Sequence, residues 1–182
     1  VNIFFVDRDP QKAAIDLVDK HVVKMILESA QLLSTAHRVI DGAPVEVTIK
    51  HPDTGKLRKK KVWVLGDSRN DIIYNATHIN HPSAIWCRQA VENYNWLVDH
   101  FYGLMDEYKY RYGKVHKSSE IAYYIQSPPY NLRDWDMTKM PCAMGEEYII
   151  SDDSITNYRN YYKNGKQHLH TWTKRNPPDW IQ

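Results

Sequence analysis

Between Val18 and Leu33 the apolar and polar positions separate cleanly at helical spacing. Val18, Val22, Met25, Leu32 and Ala36 fall along one side, and Lys20, His21, Lys24, Glu28 and Gln31 along the other. With Asp9-Pro10 as a start signal and Asp41-Gly42-Ala43-Pro44 as a stop, the pattern predicts one helix from about Gln11 to Val39. Two β-branched segments follow, Val45–Lys50 and Lys56–Val64, on either side of Pro52-Asp53-Thr54-Gly55; they read as a hairpin. Asp67-Ser68 is placed to open a short helix through Ala76, and Asn80-His81-Pro82 breaks the chain. A long helix is predicted from Ser83 to about Tyr112, closed by Gly113. Its apolar residues, among them Trp86, Trp96, Leu97, Phe101 and Leu104, mark it as the central core helix. Ser118–Gln126 reads as a short helix ending at Pro128-Pro129, and residues 130–151 read as irregular. A last helix starts near Asp152-Asp153-Ser154 and runs through Tyr162. The reading is a mainly α, compact single-domain helical fold spanning 1–182, with a small β-hairpin at 45–64.

Composition narrows the class. A chain of 182 residues that is 42% hydrophobic supports a real core, while 25% charged residues and a mean hydropathy of −0.64 argue against a membrane span. Val1–Val6 is too short, and too soon followed by Asp7-Arg8-Asp9, to be a signal peptide. Cys87 and Cys142 are the only cysteines and lack CxxC spacing, which excludes a disulfide framework or thiolate metal site and points to the cytoplasm. The formal charge of +2 requires any nucleic-acid contact to come from local patches. Thirteen Tyr and six Trp against three Phe give most rings a polar handle. Such rings suit grooves and base stacking, or a core finished with amphipathic rings.

Several stretches are candidates for chemistry. Glu28, with His21 and Lys24 on its stripe, is placed for acid–base work; the bland alternative is a solvated face with ordinary ion pairs. Lys56, Arg58, Lys59, Lys60 and Lys61 concentrate positive charge on the second hairpin arm, to meet phosphates or to guard an edge strand. Tyr108–Lys117 interleaves rings with cations, making Arg111, Lys114 and Lys117 phosphate-contact candidates, together with Arg88 earlier in the same region. His78/His81 and His168/His170 lack metal-ligand spacing with a matching carboxylate, so neither metal nor cofactor is expected. There is no Gly-rich phosphate loop and no GxSxG elbow.

The order of these landmarks resembles the pyrimidine-dimer DNA glycosylases of the phage endonuclease V type. The matching residues are Asp19, His21 and Glu28; Arg111 and Gly113; Met140-Pro141; Glu147-Tyr148-Ile149; Ser154-Ile155; and Pro178-Asp179-Trp180. Bacterial relatives of that family also carry a segment similar to Asn80–Trp86. The resemblance touches most of the chain apart from the basic hairpin, which looks like an insertion.

The resemblance implies an enzyme that excises a damaged base from double-stranded DNA and then nicks the backbone as an AP lyase. Its nucleophile would be the N-terminal α-amine, here that of Val1, forming a Schiff base at C1′, with Glu28 moving protons and His21 beside it. An unperturbed α-amine titrates at about 7.7–8.0 and so is partly neutral at physiological pH. The chain begins at Val1 without methionine, consistent with removal of an initiator; a trimmed chain would look the same. The family's two arginines beside the glutamate are replaced by Leu27 and Gln31, so Lys20, Lys24, Gln31 and the hairpin are the expected DNA contacts. The other readings are a non-catalytic DNA-binding protein on this scaffold, or an N-glycosidase acting on a nucleotide or another nucleic acid.

Overall fold

The first helical pattern folds as two helices, not one. In the computed structural model, which describes residues 1–182, α1 spans Pro10–Asp16 and α2 spans Asp19–Asp41. Asp9 caps α1 by accepting from the Gln11 and Lys12 amides at 2.8 and 3.0 Å. Leu17 and Val18 between the helices are extended and wholly buried. Nothing in their local sequence breaks a helix; tertiary hydrogen bonds do. The Ile15 and Leu17 carbonyls accept from the Arg111 guanidinium, and the Val18 amide donates to the Tyr162 hydroxyl.

The long second helix divides for the same reason. It becomes α4, Pro82–Cys87, and α5, Val91–Tyr112; between α2 and α4 lie the hairpin and a single turn, α3, Arg69–Ile72. Ala90 is extended, and the first amides of α5, on Val91 and Glu92, donate to the carbonyls of Arg133 and Trp135. The irregular 130–138 segment thus substitutes for the missing helical turn. Gly113 closes α5 in the left-handed conformation at φ +67°. Past it, a 3₁₀ turn at Lys117–Ile121 leads into α6, Ala122–Ile125, and α7 spans Ser154–Gly165.

Helices α1, α2 and α5 pack around one hydrophobic core of 32 buried residues, with Leu17, Ile26, Leu33, Trp86, Leu97 and Phe101 at its centre. Gly103 lets α5 approach α1 closely: a Cβ there would lie 3.1 Å from that of Ala14. Three tyrosines finish the core, each with its hydroxyl bonded. Tyr94 donates to the Ile125 carbonyl, Tyr158 to that of Pro141, and Tyr162 meets His21 Nδ1 at 2.7 Å. The amphipathic-ring reading of the composition holds for these. Tyr123, Tyr130 and Trp135 are exposed.

The hairpin forms as expected, β1 Ala43–Lys50 against β2 Leu57–Val64, with Gly55 at φ +66° in its turn. Its base is anchored by buried Arg38, whose guanidinium donates to the carbonyls of Trp63, Asn70, Ile73 and Tyr74. The fold is therefore mainly α with one small antiparallel sheet. No helix is long and apolar enough to cross a membrane.

Candidate active site

The first six residues thread along the core without regular secondary structure instead of trailing into solvent, with Ile3 and Val6 buried. Asn2 fixes their start. Its Nδ2 donates to the Ala143 carbonyl at 2.8 Å, and its Oδ1 accepts from the Ile3 amide and lies 3.1 Å from the Tyr158 hydroxyl, whose proton Pro141 and Oδ1 share. Phe4 follows at φ +27°, a strained value for a residue with a Cβ. Its ring lies flat on His21, centroids 4.1 Å apart, with Tyr162 edge-on at 5.5 Å.

This path delivers the α-nitrogen of Val1 to the middle of α2. It lies 3.6 Å from Glu28 Oε2, while Lys24 Nζ, one helical turn away, lies 3.3 Å from Oε1. The carboxylate is thus shared between two amines, one per oxygen. The Glu28 side chain is 13% exposed and that of Val1 is 4% exposed, whereas Lys24 is 64% exposed. Oε2 is shielded from water and accepts no hydrogen bond, so the Val1 nitrogen is the one polar partner at its side. A carboxylate in that position can take a proton from a neighbouring amine and return it.

His21 is not part of that pair. It sits seven residues before Glu28 on α2, about 10.5 Å along the axis, and is buried beneath Phe4. Burial depresses its pKa to about 3, helped by the charges of Lys166 and Lys24, so the imidazole is neutral at physiological pH. Because the Tyr162 oxygen already accepts from Val18, its proton is free to go to His21 Nδ1. The residue holds the N-terminal segment in place and does not approach the carboxylate.

His81, which the sequence offered in the break before Pro82, in the Asn80–Trp86 segment and as an unsuitable metal ligand, lies close enough to feel both the Val1 amine and Glu28. His81 caps α4 by accepting the Ser83 amide on Nδ1 at 3.1 Å. Its pKa is lowered by burial, then by the positive charges of the Val1 amine and His78, against a raising contribution from Glu28. The signal for it was the position just before Pro82, where a side-chain cap is needed.

The expected DNA contacts divide into three groups. Lys20 and Lys24 are exposed and Gln31 half-buried on the Glu28 side of α2, and Lys114 and Lys117 are exposed beyond the end of α5. The hairpin cations are all exposed, but strand alternation splits them. Lys59 and Lys61 share a face with Glu46, which pairs with Lys59 at 2.8 Å, and with Trp63; Arg58 and Lys60 lie on the other face with Val47 and Ile49. One expectation fails. Arg111 is buried, with ion pairs to Asp19 and Glu107 at 2.9 Å each and bonds to two carbonyls, so no phosphate can reach it. Arg88 is half-buried, with Nη2 on the Ile79 carbonyl at 2.6 Å and Nη1 shielded from solvent. Helical periodicity does not show the burial of Arg111, because Asp19 and the carbonyls of Ile15 and Leu17 arrive from a distant segment.

None of the three main cavities is lined by Val1 or Glu28. Comparison with family models, with curated proteins and with solved structures gives no match.

Proposed function

We propose that this protein is a DNA N-glycosylase with AP-lyase activity, acting on damaged or modified pyrimidines in duplex DNA through the Val1 α-amine, and that it is a relative of the pyrimidine-dimer glycosylases. The observation that carries the reading is the 3.6 Å approach of the Val1 nitrogen to the shielded Oε2 of Glu28. In the proposed reaction the neutral amine attacks C1′ as the base leaves with the glycosidic electron pair, and a proton from solvent neutralises the base. Glu28 takes a proton from the resulting secondary ammonium. Returning it to O4′ opens the sugar ring and leaves an imine between Val1 and C1′. Loss of a C2′ proton then expels the 3′ phosphate, which is the lyase step.

The position of the pair outside the three main cavities favours a large substrate whose target nucleotide must be extruded, over an enzyme of free nucleotides. The second reading is a DNA-binding protein without chemistry. It is favoured by Leu27 and Gln31, uncharged residues flanking Glu28 on the open side of α2.

Borohydride trapping on duplex DNA with an abasic site tests the proposal, using protein whose intact mass shows a free amine at Val1. A covalent adduct is expected, and it should vanish when the amine is acetylated or preceded by one added residue. Val1→Ala should still trap, because the attacking atom belongs to the backbone. Binding without an adduct establishes the second reading. Trapping by the extended protein moves the nucleophile to Lys24, which shares the carboxylate.

A further inference from the structure

A second feature does not depend on the amine chemistry. A cavity of about 400 Å³ opens where the C-terminal end of α2, at Ile40, meets Arg88-Gln89 and the 131–138 segment. Its polar lining consists of Arg88, Gln89, Asn131, Arg133, Trp135 and Thr138; the rest is aliphatic, and no carboxylate faces it. Two guanidiniums without an acid leave the cavity positively charged; Arg133 is exposed, while Arg88 is half-buried, where an unpaired charge is costly. Neither arginine makes an ion pair. Arg88 spends one nitrogen on the Ile79 carbonyl, and burial lowers its pKa with no carboxylate opposing the shift. Arg133 lies over the Trp135 ring at 4.6 Å, and that indole is 55% exposed. Asp41, behind Asn131, is already taken by Arg69 and by the amides of Tyr130 and Asn131.

The walls are held from behind. The carbonyls of Arg133 and Trp135 accept from the first amides of α5. The Thr138 amide donates to Asn93 Oδ1, and the Thr138 hydroxyl accepts from Asn93 Nδ2 at 2.7 Å. Thr138 in turn donates to Gln89 Oε1, which leaves the Gln89 amide N–H groups free. Asn131 uses its Nδ2 on Asp41 and keeps Oδ1 free as an acceptor. A free amide donor, a free acceptor, an indole covered by Arg133 on one face and otherwise exposed, and an excess of positive charge together describe a complement to a phosphorylated planar base. The volume suits a ligand of that size.

We propose that this cavity is a nucleotide-binding site, with the phosphate beside Arg133 in the field of Arg88 and the base against Trp135. The nucleotide is either free in solution or part of a DNA strand, and two arms of one experiment separate the sources. Isothermal titration of the full chain with thymidine 5′-monophosphate should show binding tighter than with thymidine or inorganic phosphate alone. Arg133→Ser and Trp135→Leu should each weaken it about tenfold, the scale of one lost charged hydrogen bond or one lost stacking contact. Both side chains are exposed, so unchanged thermal melting of the variants confirms that the fold is kept. The second arm measures affinity for duplex DNA. A parallel loss in both variants assigns the site to a nucleotide of the strand, and unchanged duplex affinity alongside lost monophosphate binding assigns it to a free nucleotide. No binding of the monophosphate together with unchanged duplex affinity overturns the proposal. Glu28→Gln should leave the titration unaltered, so failure of the amine chemistry and failure of this site are told apart.

Discussion

The ring of Phe4 lies on the imidazole of His21 with centroids 4.1 Å apart and planes only 15° from parallel. That contact joins the N-terminal segment to α2 three residues after the α-amine and seven before Glu28. It also holds Phe4 at φ +27°, a backbone state that persists only where its surroundings over-determine it, at a cost of about 1–3 kcal/mol. Asn2 supplies the other fixed point, through Ala143 and Tyr158. Val1 immediately precedes the Asn2 anchor, so the packing of the segment behind it confines its nitrogen to the neighbourhood of Glu28.

Glu28→Gln is expected to stop base release while the protein stays folded. Its amide keeps the size of the side chain but neither takes nor returns a proton, and loss of a general acid/base costs ~10²–10⁴-fold in rate. Single-turnover cleavage of ultraviolet-irradiated duplex DNA, with a far-ultraviolet circular dichroism spectrum of the same preparation, checks both halves. Unchanged turnover on a substrate the parent protein cleaves removes Glu28 from the mechanism.

The hairpin cations should act by face. A ribbon lying flat on DNA presents alternate residues, and Lys59 is occupied by Glu46. Replacing Arg58 and Lys60 with Ser is therefore expected to lower the slope of log K against log salt by roughly 1.8, about 0.9 for each lost phosphate contact. Replacing Lys59 and Lys61 should change it little. If neither pair moves the slope, the cations only protect the strand edges from pairing with another chain.

Arg111→Met should damage stability and leave DNA binding alone. The substitution strands Asp19 and part of the Glu107 carboxylate in the interior and frees the Ile15 and Leu17 carbonyls that end α1. Breaking a buried pair by removing one partner costs about 3–5 kcal/mol. Urea unfolding measures the loss. A fall in the salt slope of DNA binding, with stability intact, would place Arg111 at the interface after all.

Acid should unfold the protein through its buried histidines. His21, His37 and His100 are neutral in the folded chain, with pKa values depressed by burial from 6.5 to about 3, about 4 and about 4. The unfolded chain takes up these protons near pH 6.5, so protonation favours unfolding. The stability they confer is complete above that pH. It falls by about 1.4 kcal/mol per pH unit for each histidine until the folded forms titrate near pH 4, and near pH 3 for His21. Melting temperatures measured from pH 7.5 down to pH 4 should decline throughout the lower half of the range. His21→Phe, which keeps a ring under Phe4, should flatten part of that decline.

Much of this molecule was written into local pattern. The stripe on α2, the Pro-Asp-Thr-Gly turn between β-branched arms, the cap at Asp9-Pro10 and the Gly113 terminus depend on neighbours within a few positions. Spacing and side-chain type report such neighbours, and each of these features formed. The tertiary structure decided what those patterns could not see. Leu17-Val18 and Arg88–Ala90 interrupt helices because carbonyls and amides there find better partners in Arg111, Tyr162 and the 133–135 backbone, which arrive from far along the chain. Helical periodicity placed His21 and Glu28 on one stripe, yet packing sent them to different tasks: Phe4 and Tyr162 cover the first, while the second is left beside an amine. The sequence alone contained both an apolar first segment and a glutamate. That the two meet at 3.6 Å follows only once the first six residues are buried, because desolvating their apolar side chains fixes a path that no local interaction specifies.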